Sequence, residues 1–408
     1  MLGAVMGNAA SRLRAIASGL AQTLHRGLFQ RGQDHFPALD GLRAIAALLV
    51  VGFHSALVRN GWIGVDLFFV LSGFLIGRIL FTQLAGGGIN FRGFYVRRIF
   101  RIFPAYYAVL SMSVAVSLFV PIGRPLTATW GTILLRSVPN YLYVSNYLYG
   151  TGWWIPNALA WGWSLCIEEH FYLIAPALLT LLWRGKAVQP RRRAVVLAVL
   201  ALVPLVFRLA AFVRDPTQIV FARLYPESHT HCEGLWCGVL VAYGYVYHRA
   251  ALEHWVRRSG RMVWLLGLAC IGSVYVWGGV WQAGFFAAVV EFSILAIGSS
   301  LLVLCGLFLD DWFSRLLAHR MWYPWARLSY GIYLVHPFGV FWLVYGRPAG
   351  VLKLGTAPFA LAVLALATLA ATILLLVVEQ PLLERGARLS RRLSANSDLA
   401  RPRVPEVA

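Results

Sequence analysis

A chain of 408 residues that is 59% hydrophobic and only 13% charged does not have the composition of a soluble globular protein. Its net charge of +20 would suggest nucleic acid in a soluble chain. Here the basic residues collect in short loops and tails between apolar runs, and no nucleic-acid partner is expected. Cys166, Cys232, Cys237, Cys270 and Cys305 form an odd set lying mostly inside apolar segments, so they do not read as a disulfide framework.

Residues 1–38 lack the basic-then-apolar-then-small pattern of a cleaved signal, which leaves the first span as the expected targeting element. Within them SRLRAIASGLAQTLHRGLFQ places Leu13, Ile16, Leu20 and Leu24 at helical spacing. That pattern suits a short helix on the inner membrane surface, and a disordered basic tail fits equally well. Ten apolar spans follow, at 39–58, 62–80, 103–121, 163–183, 193–212, 231–248, 262–278, 284–305, 325–345 and 357–378. The fold class expected is therefore an all-α polytopic integral membrane protein of about ten helices.

An even number of spans puts both termini on one side. With that side inside, only Arg59, Arg124, Arg136, Arg214, Arg223, Arg347 and Lys353 fall in outer segments, so both termini are expected to be cytoplasmic. Counting 122–162 as a further span would place WRGKAVQPRRR outside, against the charge rule. Residues 130–148 are accordingly expected to be re-entrant or interfacial, with the neighbouring NYLYGTGWWIPNALAWGW an aromatic surface or belt. Three parts result: a basic segment 1–38, a transmembrane domain 39–384 and a disordered basic tail 385–408.

The expensive residues are those inside spans. Arg43 and His54 share the first span, eleven residues and roughly 16 Å of depth apart. Asp66, Glu168, Glu169, Glu233 and Glu291 fall in the outer halves of their spans, as His54 does, while Arg98 and Arg101 crowd the inner face on one side of a helix. A polar cavity open outward with a cationic inner mouth is expected. Asp40 reads as a helix cap, one of the paired glutamates could neutralise Arg208, and His336 before Pro337 reads as a structural histidine. His229, His231, Cys232 and Cys237 match no established zinc spacing, so no metal is expected.

LDGLRAIAALLVVGFH (39–54), GVDLFFVLSGFLIG (64–77), FYVRRIFRIFPAYY (94–107), WSLCIEEHFYLIAP (163–176), SYGIYLVHP (329–337) and VEQP (378–381) occur in a fixed order. Together they resemble the membrane-bound acyltransferase-3 family, of the O-antigen and peptidoglycan O-acetylase type, over residues 36–384. The resemblance implies a multi-pass enzyme of the bacterial cytoplasmic membrane. Such an enzyme moves an acyl group, usually acetyl, from cytoplasmic acyl-CoA to a hydroxyl of a glycan, glycolipid or other glycosylated acceptor. It implies functional roles for Arg43 and His54, for Arg98 and Arg101, and for Glu169. PESHTHCEGLWCG (226–238) departs from the Arg–Asp–Gly-like stretch expected there, and the extracytoplasmic hydrolase-like domain of some relatives is not expected here.

On this reading Arg43, Arg98 and Arg101 bind the phosphates of the donor, a co-substrate rather than a resident cofactor. His54 is the general base, oriented by Glu169 or Glu168. Asp66, Ser72, Trp163, Tyr172 and Glu233 are the candidate substrate-binding residues, with Ser72 or His54 as the acyl carrier if transfer is stepwise. The rival is a transporter or flippase using the same polar residues as a pathway, although no inverted repeat is seen.

Overall fold

The computed structural model describes residues 19, 22, 27–29, 35–119, 129–149, 151, 162–183, 190–218, 220–345 and 356–399. All regular structure among them is helical. The elements are α1 (Pro37–His54), α2 (Ile63–Ala85), α3 (Phe91–Phe119), α4 (Trp130–Tyr141), α5 (Trp163–Trp183) and α6 (Pro190–Arg214). The short α7 (Val220–Arg223) and α8 (Ser228–His231) precede α9 (Glu233–Tyr247), α10 (Arg249–Trp277) and α11 (Glu291–Phe308). After α12 (Trp312–Leu317) come α13 (Trp322–Tyr345), α14 (Thr356–Leu374) and α15 (Gln380–Leu399). Most of the proposed N-terminal surface helix, the aromatic stretch 152–161, the loop 346–355 and residues 400–408 lie outside the described residues.

Among the described residues eight helices are long and apolar enough to cross a membrane: α1, α2, α3, α5, α6, α10, α11 with the turn before it, and α14 running into α15. Two of the ten expected spans are not among these eight. The first, α9, has 15 residues and reaches roughly 22 Å, short of a hydrocarbon core of about 30 Å. The second, α13, has 24 residues and packs against α1 and α14.

Both sit inside the bundle, where a helix need not face lipid. α2 and α9 cross backbone to backbone through Gly73-xxx-Gly77 and Gly234-xxx-Gly238. A Cβ on Gly73 would fall on the Leu235 carbonyl, and one on Gly238 on the Val70 carbonyl. This is the small-residue packing by which helices associate in lipid, where no hydrophobic force drives them together. At the periphery α6 leaves Val199, Leu202, Val206, Leu209 and Val213 exposed, three or four residues apart on one face. A bare aliphatic stripe of that kind suits an acyl-chain environment.

The segment 130–148 is not a span. α4 has 12 residues, its N-terminus capped by Thr129 Oγ1, which accepts from the Thr132 amide at 3.2 Å. The chain then turns back against α3 and α5. Tyr106 and Tyr107 donate to the carbonyls of Asn140 and Tyr141 at 2.8 and 3.0 Å, and Ser145 meets Cys166.

The tail departs from expectation. After a π-helical turn at Leu375–Glu379 the chain continues as α15 to Leu399. Gly386 of α15 lies on the Phe100 ring, and Ser390 Oγ accepts from Arg97 Nη1 at 2.6 Å. Apolar positions at helical spacing in LLERGARLSRRL explain why this part is ordered against α3. Asp40 also differs: Phe36 occupies the N-cap of α1, and Asp40 pairs with His35 at 3.0 Å.

Candidate active site

A cavity of about 570 Å³ opens between α1, α2, α3, α5, α13 and α15, within the range usual for small-molecule sites. Arg43, Arg97, Arg98 and Arg101 line it together with Leu383, Gly386 and Ala387 of α15. Along α2 its wall runs from Ile76 to Val65. Eleven residues of helix make that about 16 Å of depth, the same rise that separates Arg43 from His54. Ser164 and Tyr333 belong to the same wall, their hydroxyls 2.5 Å apart.

Arg101 meets the buried Glu379 at 3.5 Å, and Arg43 lies 4.0 Å from Asp40. Glu379 comes from VEQP, so that motif supplies a carboxylate to the arginine cluster. Arg327, absent from the expected set, shares the electrostatic neighbourhood of Arg43, Arg101 and Glu379 and donates to the Gly27 carbonyl at 3.1 Å. As an arginine inside an expected span, it carried a signal that could have been read.

Midway along the cavity a polar chain ties α2 to α5. Ser72 Oγ lies 2.5 Å from Tyr172 Oη, which donates to Glu168 Oε2 at 2.9 Å. The Arg98 guanidinium sits over the Tyr172 ring at 5.6 Å. Adjacent helical residues point about 100° apart, so Glu168 enters the cavity while Glu169 does not line it. Glu169 instead lies among Tyr106, Tyr107, Tyr143 and Tyr330, its Oε1 buried without a hydrogen-bond partner.

His54 ends α1 and meets His336 of α13. The Nδ1 of His54 lies 2.9 Å from Nε2 of His336, and the rings stack at 5.0 Å. His336 in turn lies 5.8 Å from the Tyr333 ring, so the histidine pair adjoins the cavity wall. Pro337 removes an amide donor from this turn of α13, where His336 Nδ1 reaches the Ile332 carbonyl at 3.1 Å. The expected carboxylate partner gives way to an imidazole.

Three of the residues expected to bind substrate lie elsewhere, in a closed core. Glu233 pairs with Arg208, both side chains at most 2% exposed, so neither Glu168 nor Glu169 is the partner found for Arg208. Asp66 Oδ1 lies 2.9 Å from His231 Nε2, and His231 Nδ1 donates to the Tyr225 carbonyl at 2.7 Å. Trp163 packs on Tyr225 and His231 at 4.3 and 5.7 Å. Ser72 and Tyr172 do line the cavity. Among the described residues no group of three or more potential ligands could hold a metal ion. His229 pairs with Glu227 at 3.5 Å.

The family description "Acyltransferase domain" matches residues 36–376. The chain is 32% identical over 231 residues to the peptidoglycan O-acetyltransferase OatA of Listeria monocytogenes, covering 53% of this chain and 35% of that protein. It is 36% identical over 174 residues to the putative peptidoglycan O-acetyltransferase YrhL of Bacillus subtilis, covering 37% and 25%. A putative O-acetyltransferase of Staphylococcus aureus is 33% identical over 155 residues, covering 36% and 25%. The chain thus spans about a third or less of the length of these curated relatives, and no solved structure matches it. With a match over most of its length and the ordered motifs lining one cavity, the chain belongs to the acyltransferase-3 family of multi-pass membrane proteins.

Proposed function

We propose that the chain transfers an acyl group, acetyl in the first instance, from cytoplasmic acyl-CoA to a hydroxyl of a cell-envelope glycan. The observation that carries this is the cavity. Four arginines line it together, and its wall reaches the neighbourhood of a histidine pair about 16 Å of helix rise from Arg43. Planar guanidinium groups suit the phosphates of a nucleotide-bearing donor, and the depth suits an extended thioester arm. Curated relatives named as peptidoglycan O-acetyltransferases support a glycan acceptor. The charge bias of the loops supports a cytoplasmic location for both termini, in a bacterial inner membrane.

His54 removes the proton from the acceptor hydroxyl as its oxygen attacks the thioester carbon. The tetrahedral intermediate collapses with cleavage of the C–S bond, and the proton on His54 passes to the departing thiolate. Ester and free CoA leave, and His54 returns to its starting state. Both substrates must be held in register for this to be fast, which is the work of the arginines and the cavity wall.

Inverted membrane vesicles that retain their envelope glycan, given labelled acetyl-CoA, test the reading. CoA release with label on the glycan supports it, together with a fall of both by about 10²-fold or more in His54→Ala. Movement of glycan across the membrane without CoA release would instead identify a transporter.

A further inference from the structure

We propose that His336 is a positioning residue for the transfer: it accepts the Nδ1 proton of His54 and so fixes the tautomer in which His54 Nε2 carries the lone pair of the base. The inference rests on the reading of His54 given above.

The assignment follows from one atom that cannot donate. His336 Nδ1 lies 3.1 Å from the Ile332 carbonyl oxygen, so this nitrogen bears a proton. A neutral imidazole has only one N–H, which leaves His336 Nε2 with a lone pair. Its neighbour at 2.9 Å is His54 Nδ1, and that nitrogen must be the donor. In a neutral His54 the basic lone pair then resides on Nε2. The opposite assignment would set two lone pairs or two N–H groups against each other at 2.9 Å.

The order of groups is carbonyl, imidazole, imidazole: a backbone acceptor fixes the first ring, and the first ring fixes the second. A carboxylate performs this office in the serine-protease arrangement, where losing the correct tautomer is costly although the geometry stays intact. His336 is neutral, so it orients His54 without adding a buried charge. The stacking of the rings, with planes 29° apart, also restrains rotation of His54 at the end of α1. When Nε2 takes the acceptor proton, Nδ1–H stays in place and His336 Nε2 shares the positive charge. When that proton passes to the thiolate, the pair is restored.

Two substitutions of similar size separate this role from packing. Gln at 336 keeps an oxygen acceptor for His54 Nδ1–H; Met fills similar space and offers none. The assay is CoA release from acetyl-CoA in inverted vesicles, with detergent-purified protein checked for a single elution peak and its melting temperature. His336→Met is expected to lower kcat about tenfold or more, bounded by the ~10²–10⁴-fold loss typical of a general base, with the KM for acetyl-CoA unchanged. His336→Gln should recover most of that loss. In a His54→Ala background His336→Met should have no further effect, because it acts through His54. If Met does not fold, Leu takes its place.

Full kcat in His336→Met, or an equal loss with and without His54, overturns the inference while leaving His54 as base. Full activity in His54→Ala removes His54 as the base, and the inference with it, while acyl transfer stands; absence of CoA release from the parent protein overturns the function reading itself.

Discussion

Arg208 and Glu233 form a bidentate pair buried from solvent. Arg208 Nη2 lies 2.6 Å from Glu233 Oε1, and Nη1 donates to Oε2 at 2.7 Å. The remaining guanidinium protons go to the carbonyls of Thr230 and Val289 and to Ser293 Oγ. Every donor is therefore matched, the condition under which a buried pair repays its desolvation. These contacts tie α6, α8, α9, the turn before α11 and α11 itself together, so the pair is part of the scaffold of the fold.

Removing one partner strands the other. Glu233→Leu alone, or Arg208→Met alone, is expected to destabilise the protein by about 3–5 kcal/mol. The double variant should cost less than either single change, since no charge is left buried. Melting of the purified protein in detergent checks this. Single variants as stable as the parent would mean that water or lipid headgroups reach the site. Losses that simply add would mean that the pair is not coupled.

Asp66 and His231 should behave alike for a related reason. His231 donates Nδ1–H to the Tyr225 carbonyl and meets Asp66 through Nε2. Asp66→Asn still offers an atom to that nitrogen, whereas Asp66→Leu leaves it without a partner, at about 1–3 kcal/mol. The expected order of melting temperature is parent, Asn, then Leu, with the acetyl-CoA KM of folded variants unchanged. A large rise in that KM in the Asn variant would return Asp66 to the substrate site.

These two pairs show what was legible in the chain and what was not. Apolar run length revealed the helices, because each run must satisfy its own backbone in lipid. The ordered motifs marked Arg43, Arg98, Arg101, Ser72 and Tyr172, all of which line the same cavity. What a linear reading could not supply was which charge faces which. Asp66 and Glu233 share the expected outer half with His54, yet they turn into a closed core together with Trp163. Depth follows from sequence position; azimuth depends on helix neighbours. His336 was visible as an intramembrane histidine before a proline, but its partner lies on a helix 282 residues away in sequence. The α15 helix was missed because a basic tail hid its apolar face.

Tyr172 offers a test of how the cavity holds Arg98. Tyr172→Phe keeps the ring under the guanidinium and loses the phenol that bridges Ser72 and Glu168. Tyr172→Leu loses both. A cation over an aromatic face contributes about 0.5–2 kcal/mol when partly desolvated, which corresponds to roughly 2- to 30-fold. The KM for acetyl-CoA is therefore expected to rise more in Leu than in Phe, as read from CoA release in inverted vesicles. Arg98→Lys should resemble the Leu variant, because an ammonium lacks the planar fork. Equal KM values across Tyr, Phe and Leu would remove Arg98 from donor binding.

The α2–α9 crossing ties fold to chemistry. On α2, Ser72 lines the cavity, while the next residue, Gly73, meets the α9 backbone at Leu235. A methyl group at 73 has no space, so either the helices part or the turn distorts. Parting them would push Ser72 toward α5 and narrow the cavity from the α2 side. Gly73→Ala is thus expected to lower the melting temperature and also to raise the acetyl-CoA KM. Gly86→Ala is the control, because no neighbour lies closer than 3.6 Å to the added carbon, and it should change neither. A Gly73→Ala protein that melts earlier yet keeps its KM would show that α9 yields rather than α2. The donor cavity would then be insulated from the crossing that supports it.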